Sequence, residues 1–156
     1  MSDADQYLLD IIALHQVGHR RLREEIAGLD SAALNWSLGP ETSSIGTIVM
    51  HALGADAEVL RNILLIPTQR SRDAEFAAQD HQPDAIKKLL DSVEADWEQL
   101  ALNLQENHLQ TLIPRPNKPT PESGLFWLMR NYGHICEHLG QVQLTKQLYQ
   151  MSHLEF

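Results

Sequence analysis

Four stretches of this chain set apolar residues three and four positions apart, which is the spacing of an amphipathic helix. No stretch alternates apolar and polar residues for long enough to make a convincing strand. Leu outnumbers Val by 24 to 5, and that imbalance favours helix over sheet. The first stretch runs from Asp3 to Gly28, with Leu8, Ile11, Leu22 and Ile26 on its apolar face and Gly28 as its stop. The second begins after Thr42-Ser43-Ser44, all able to cap a helix, and ends before Pro67. The third starts near Pro83, a favourable first helical residue, and runs to about Asn107. The fourth starts at Thr120-Pro121-Glu122, which offers a cap hydroxyl, a rigid first residue and a carboxylate at the positive helix end, and continues to about Gln150. Helices of roughly 24 to 30 residues are about 36 to 45 Å long. Four of them in 156 residues predict an all-α fold, a four-helix bundle with long antiparallel helices, as one domain over residues 1–156.

The links differ in character. Residues 29–42 form a compact connection, and residues 67–82 are polar with room for a short helical turn. Residues 108–120 hold Pro114, Pro116 and Pro119, which forbid regular helix and favour extended backbone. The chain is long enough to bury a core without disulfides, and its one cysteine cannot form an internal one. Net charge is −9, so most of the surface repels nucleic-acid phosphates and anionic membranes; neither is expected as a partner. The N-terminus lacks the basic and apolar regions of a signal peptide, and no apolar run approaches membrane-spanning length. A cytoplasmic protein is expected.

Chemistry at particular spacings has to come from the eight histidines. In Gly133-His134-Ile135-Cys136-Glu137-His138-Leu139-Gly140-Gln141, the two histidines lie one helical turn apart on one face, within reach of a single metal ion. A core stripe of Leu125, Leu128, Tyr132, Ile135, Leu139 and Val142 runs beside them. The histidine stripe itself, Trp127-Asn131-His134-His138-Gln141-Thr145, lies about 100° round the helix. Two adjacent faces of this helix are therefore expected to be at least half-buried, which suits the lining of a polar pocket. Two histidines bind weakly, and a catalytic zinc-type site needs a third ligand plus an open position. His51 shares a stripe with Ile48 and Ala55 in the second helix and is expected to point inward. Gly54, Gly133 and Gly140 accompany these histidines, and three helix-weakening glycines suggest a need for space or close approach. A hydrogen-bonded core histidine is the competing reading of His51.

These residues also resemble a known family. Ser44-Ile45-Gly46-Thr47-Ile48-Val49-Met50-His51, with the later Gly133-His134-x-x-x-His138-x-Gly140-Gln141, resembles the DinB-like metal-binding helical bundles. Leu29-Asp30-Ser31-Ala32-Ala33-Leu34-Asn35-Trp36 is similar to that family's first inter-helix connection. The resemblance implies that His51, His134 and His138 are the facial ligands of one divalent metal, with zinc or nickel first and iron or manganese next. It implies a homodimer acting on a small-molecule substrate. It also implies either a metal-dependent transferase using a low-molecular-weight thiol or a metal-dependent hydrolase. A non-enzymatic bundle that binds metal or ligand remains the alternative class. Asn131, Gln141, Asp56 and Glu58 are the candidates to orient the imidazoles, the last better placed to hold a substrate than to share the metal.

Other patterns are set aside on chemistry. His134-x-x-Glu137-His138 reads as the motif of inverted zinc proteases, but those enzymes are larger, and Glu137 lies roughly 80° off the histidine midline. Ferritin-like di-iron sites need Glu-x-x-His pairs, and no glutamate here has a histidine three residues on. No phosphate-binding glycine loop or nucleophile elbow is present. Cys136 falls opposite the histidine midline and is expected in the core or an interface. His15 and His19 are expected to be a partly exposed structural pair, and His81, His108 and His153 to lie on the surface.

Overall fold

The computed structural model describes residues 3–114 and 119–154. Seven helices are assigned among them: α1 (Asp3–Ile26), α2 (Ser31–Asn35), α3 (Ile45–Ile63), α4 (Arg72–Ala77), α5 (Pro83–Leu100), α6 (Glu106–Gln110) and α7 (Gly124–Ser152). The long ones, α1, α3, α5 and α7, form a four-helix bundle around one apolar core that includes Leu22, Leu53, Leu60, Leu90, Trp97, Leu128 and Ile135.

Local chemistry sets the ends of these helices. Gly28 adopts φ +74°, the left-handed region that favours glycine, just beyond α1. Ser44 accepts from the Thr47 amide at the start of α3, and Pro83 opens α5. Two expected boundaries move. The third helix stops at Leu100 instead of Asn107: a 3₁₀ turn follows over Ala101–Asn103, and α6 starts afresh where Gln105 N donates to His108 Nδ1 at 2.9 Å. The fourth helix starts at Gly124, capped by Ser123, instead of at Thr120. Glu122 and Ser123 are drawn into strand β2 (Glu122–Ser123), which pairs antiparallel with β1 (Leu112–Ile113). Of the four prolines between these strands, Pro114, Pro116, Pro119 and Pro121, Pro116 lies outside the described residues. The compact connection at 29–42 contains α2, capped by Asp30, and the polar 67–82 link contains α4, capped by Ser71.

Cross-helix contacts fix the direction of each helix. His15 and Glu25 of α1 meet Leu128 and Lys146 of α7, so α1 and α7 run parallel. Thr47 meets His81 just before α5, and Arg61 meets Asp96 within it, so α3 and α5 are also parallel. The pairs α1·α5 (His15 on Trp97, Arg23 to Glu94) and α3·α7 (Asp56 to Asn131) are antiparallel. The expectation of antiparallel neighbours therefore holds for two of the four pairs. Because α3 and α5 point the same way, the link between them must travel back along the bundle. That return path carries α4 past the side of α3.

Candidate metal centre

The α3·α7 seam brings together three histidines that the sequence separates by up to 87 positions. His51, His134 and His138 each offer a ring nitrogen, and the three atoms lie within 4.8 Å of one another. The Nε2 atoms of His134 and His138 are 2.9 Å apart. Two imidazoles sharing one ion at about 2.0–2.1 Å sit about 2.9–3.4 Å apart for right-angle to tetrahedral coordination, so this pair already has a shared-ion spacing. The ring centroids of His51 lie 5.1 Å from those of both partners. An all-imidazole donor set suits zinc, nickel, iron or copper.

Two of the three rings are oriented by a polar partner, while His134 Nδ1 is buried without one. A Glu75 carboxylate oxygen lies 3.0 Å from His51 Nδ1, and Arg70 Nη2, already donating to Glu75 at 2.8 Å, lies 3.1 Å from the same nitrogen; with Nδ1–H donating to Glu75, the Nε2 lone pair is left for an ion. The Gln141 carbonyl oxygen does the same for His138, at 2.7 Å from its Nδ1. Burial, followed by the neighbouring His138 and His51, pushes His134 down to about 4. Burial also lowers the His51 pKa, against the pull of Glu75. Both imidazoles are therefore neutral, and their lone pairs available, at ordinary pH.

Glu75 and Arg70 contact His51, and neither stands out in the sequence as a site residue. Arg70 grips Glu75 with two bonds, Nε to Oε1 at 2.7 Å and Nη2 to Oε2 at 2.8 Å, and its Nη1 donates to Glu58 at 3.0 Å. Glu58 thus holds Arg70. Gly54 is needed here: a Cβ would collide with Glu75 Oε1 and press on Arg70 Nε. Gly133 and Gly140 do not share that role, since a Cβ on either meets only open space. The available signal was a mid-helix glycine one turn from His51 and two arginines with a glutamate in the link that follows.

Several expected placements are overturned. His15 and His19 are 0% and 1% exposed, not partly exposed, because both close on Asp56, itself 0% exposed. His15 Nδ1 lies 2.7 Å from Asp56 Oδ1, His19 Nε2 lies 2.5 Å from Oδ2, and Asn131 Nδ2 donates to Oδ1 at 2.5 Å. Asp56 and Asn131 therefore serve this second cluster and do not bond the three histidines. His81 is buried rather than on the surface, with Nε2 3.0 Å from Thr47 Oγ1 and its amide donating to Asn35. Cys136 is exposed, which overturns the core half of its expected placement and leaves the interface half untouched, and Glu137 is exposed on the same helix. Tyr132 and Leu125 of the expected core stripe are half-buried; Leu128, Ile135, Leu139 and Val142 are fully buried.

Beside the three histidines lies a cavity of about 230 Å³ lined by His51, Ala55, Val59, Arg70, Arg72, Trp127, Arg130, Asn131 and His134. Phe76 of α4 packs on the His51 ring at 4.7 Å between centroids. Among the described residues no helix is long and apolar enough to cross a membrane.

The sequence model of the DinB superfamily matches residues 13–142 of the chain. Similar solved structures include a DinB-like protein from Bacillus cereus, with TM-score 0.74, 13% identity, and coverage of 90% of this chain and 91% of that one. A conserved protein from Enterococcus faecalis gives TM-score 0.73 at 15% identity, covering 95% and 98%. A mycothiol-dependent maleylpyruvate isomerase gives TM-score 0.66 at 15% identity, covering 91% of this chain and 63% of that chain. No curated protein matches at a significant level.

Proposed function

This chain belongs to the DinB superfamily, and from that premise we propose that it binds one divalent metal ion through His51, His134 and His138 and acts as a metal-dependent transferase using a low-molecular-weight thiol. The observation that carries the metal is the convergence of three ring nitrogens within 4.8 Å, two of them oriented by Glu75 and Gln141. Support for the thiol is the fold likeness to an isomerase described as mycothiol-dependent. A bound ion would supply a Lewis acid able to keep a thiol, or in a hydrolase a water, deprotonated near neutral pH. The chain's own residues do the rest. Glu75 and Gln141 hold two imidazoles in the metal-binding tautomer, Arg70 and Glu58 hold Glu75, and Trp127 and Phe76 wall the site with apolar surface. Zinc or nickel is the expected ion, with iron or manganese next. A small molecule is the expected substrate and a homodimer the expected assembly. In favour of the dimer, α1 and α7 present the exposed Tyr7, Leu14 and Met129 around one apolar hollow.

Elemental analysis of zinc per chain, after loading and gel filtration without an affinity tag, tests the site. The unaltered protein should hold one zinc. His51→Ala, His134→Ala and His138→Ala should each lose most of it, and Cys136→Ser should keep it. Zinc retained by His51→Ala at the level of the unaltered protein overturns the site. A screen of metal-loaded protein with thiol cofactors and electrophilic acceptors, against simple esters, separates transferase from hydrolase. Turnover with neither class, from protein that holds its metal, assigns a non-enzymatic role.

A further inference from the structure

We propose that Arg72 and Arg130 form an anion-binding subsite beside the three-histidine centre, and that the substrate is a small organic carboxylate. The inference deepens the proposed function by naming a substrate class for the same site, and rests on it only for the site's identity.

The chain carries 21 acidic residues against 12 basic ones, yet three of its arginines line one cavity of about 230 Å³ and no carboxylate does. The three arginines are not equivalent. Arg70 is spent: Glu75 and Glu58 take its donors, and it works as a brace for His51. Arg72 and Arg130 are exposed residues that line this cavity and have no carboxylate partner among the described residues. Instead each guanidinium lies against a ring, Arg72 5.0 Å from the Phe76 centroid and Arg130 6.0 Å from that of Trp127. A cation–π contact of this kind favours the guanidinium beside the ring without using its N–H groups as hydrogen-bond donors. They come from different elements, α4 and α7, to one cavity, and the helix carrying Arg130 also supplies His134 one turn later.

Two unpaired guanidiniums at one cavity call for an anion, because the planar fork of arginine matches a carboxylate or phosphate with two parallel bonds. The rest of the lining selects between occupants. Ala55, Val59 and the buried Trp127 give an apolar wall, so the anionic group is carried on an apolar or aromatic body. A cavity of this size holds a small molecule rather than a macromolecule. The carboxylate would be held at the arginines, with the body lying along Trp127 toward the histidines.

Calorimetric titration of chelator-treated protein with benzoate, benzamide and inorganic phosphate tests the subsite without relying on turnover. Benzoate should bind, and benzamide, its neutral counterpart, should bind at least tenfold more weakly. The Arg72→Gln/Arg130→Gln double variant should lose at least tenfold in benzoate affinity. Arg20→Gln, the same charge change at an exposed arginine of α1 that does not line the cavity, should not. Phosphate that competes with benzoate marks a general oxyanion seat, and phosphate that fails to compete marks a carboxylate seat; both support the subsite. Benzamide binding as tightly as benzoate overturns it, as does an unchanged benzoate affinity in a double variant with native circular dichroism. Zinc content is read separately. Arginine-dependent benzoate binding in a protein that takes up no zinc keeps the subsite and removes the metal reading, and the opposite result removes the subsite alone.

Discussion

Asp56 shows what a single residue contributes when it is sealed in the core. Burial alone would raise its pKa, but His15 and His19 outweigh burial and hold it at about 2. His15 has its other ring nitrogen, Nε2, 3.1 Å from the Leu128 carbonyl oxygen, so both of its ring nitrogens face acceptor oxygens. The ring also stacks on Trp97 at 4.2 Å between centroids. Asp56 has an ordinary value near 3.9 when unfolded, and the folded value is lower. Its contribution is therefore present above about pH 4 and lost as pH falls through about 4 toward 2, on the order of 2–3 kcal/mol. Asp56→Asn removes the charge but not the shape and should cost about 3–5 kcal/mol near neutral pH, because it strands buried partners. Urea unfolding at intervals between pH 6 and 2 checks this. The gap between the two proteins should narrow below about pH 4, and a gap constant with pH would contradict the assignment. The same cluster makes His15→Ala a poor control for metal loss, since that change damages the core.

At the scale of elements, α4 acts as a strap laid across the outside of α3. Ser71 caps it, Arg72 opens it, and Glu75 turns in to His51 through the gap that Gly54 leaves. Partners of metal-ligand histidines typically carry 10–100-fold of affinity, so Glu75→Ala should weaken zinc by about that factor while circular dichroism stays native. Gly54→Ala should shift affinity the same way by forcing Glu75 and Arg70 aside. Competition against a colorimetric chelator reads both, and zinc affinity unchanged in Glu75→Ala would show that the strap does not orient His51. The contrast with α7 explains what was legible. His134 and His138 sit on one helix, where spacing alone places them on one face, and His51 stands out on the apolar stripe of another. The strap obeys no such rule. It lies in a polar link with two arginines, and its register against α3 is set by a return path that no local pattern specifies. Asp56 was visible as a polar residue near His51, but its partners His15 and His19 lie on a third helix, so its role could be read only once α1, α3 and α7 were packed.

For the whole molecule the four helices were readable because each needs only its own period and caps, while their directions were not. Parallel α1·α7 and α3·α5 pairs depend on a link long enough to run back along the bundle, and length permits that path without requiring it. The resulting order seats the histidines on an antiparallel seam, α3 against α7, so an ion bound there ties together elements that follow one another only after 60 residues of chain, Leu64–Ser123. An unfolded chain scatters those three ligands, and an ion that binds only the folded form stabilises it by mass action. Free zinc at a hundredfold excess over its dissociation constant contributes about 2.7 kcal/mol. For a chain of this size that raises Tm by about 5–11 °C, at roughly 2–4 °C per kcal/mol. Differential scanning fluorimetry with buffered zinc, with and without chelator, should show this rise in the unaltered protein and lose it in His51→Ala and His138→Ala. A rise of the same size in His51→Ala would mean that zinc stabilises the bundle from somewhere other than the α3·α7 seam.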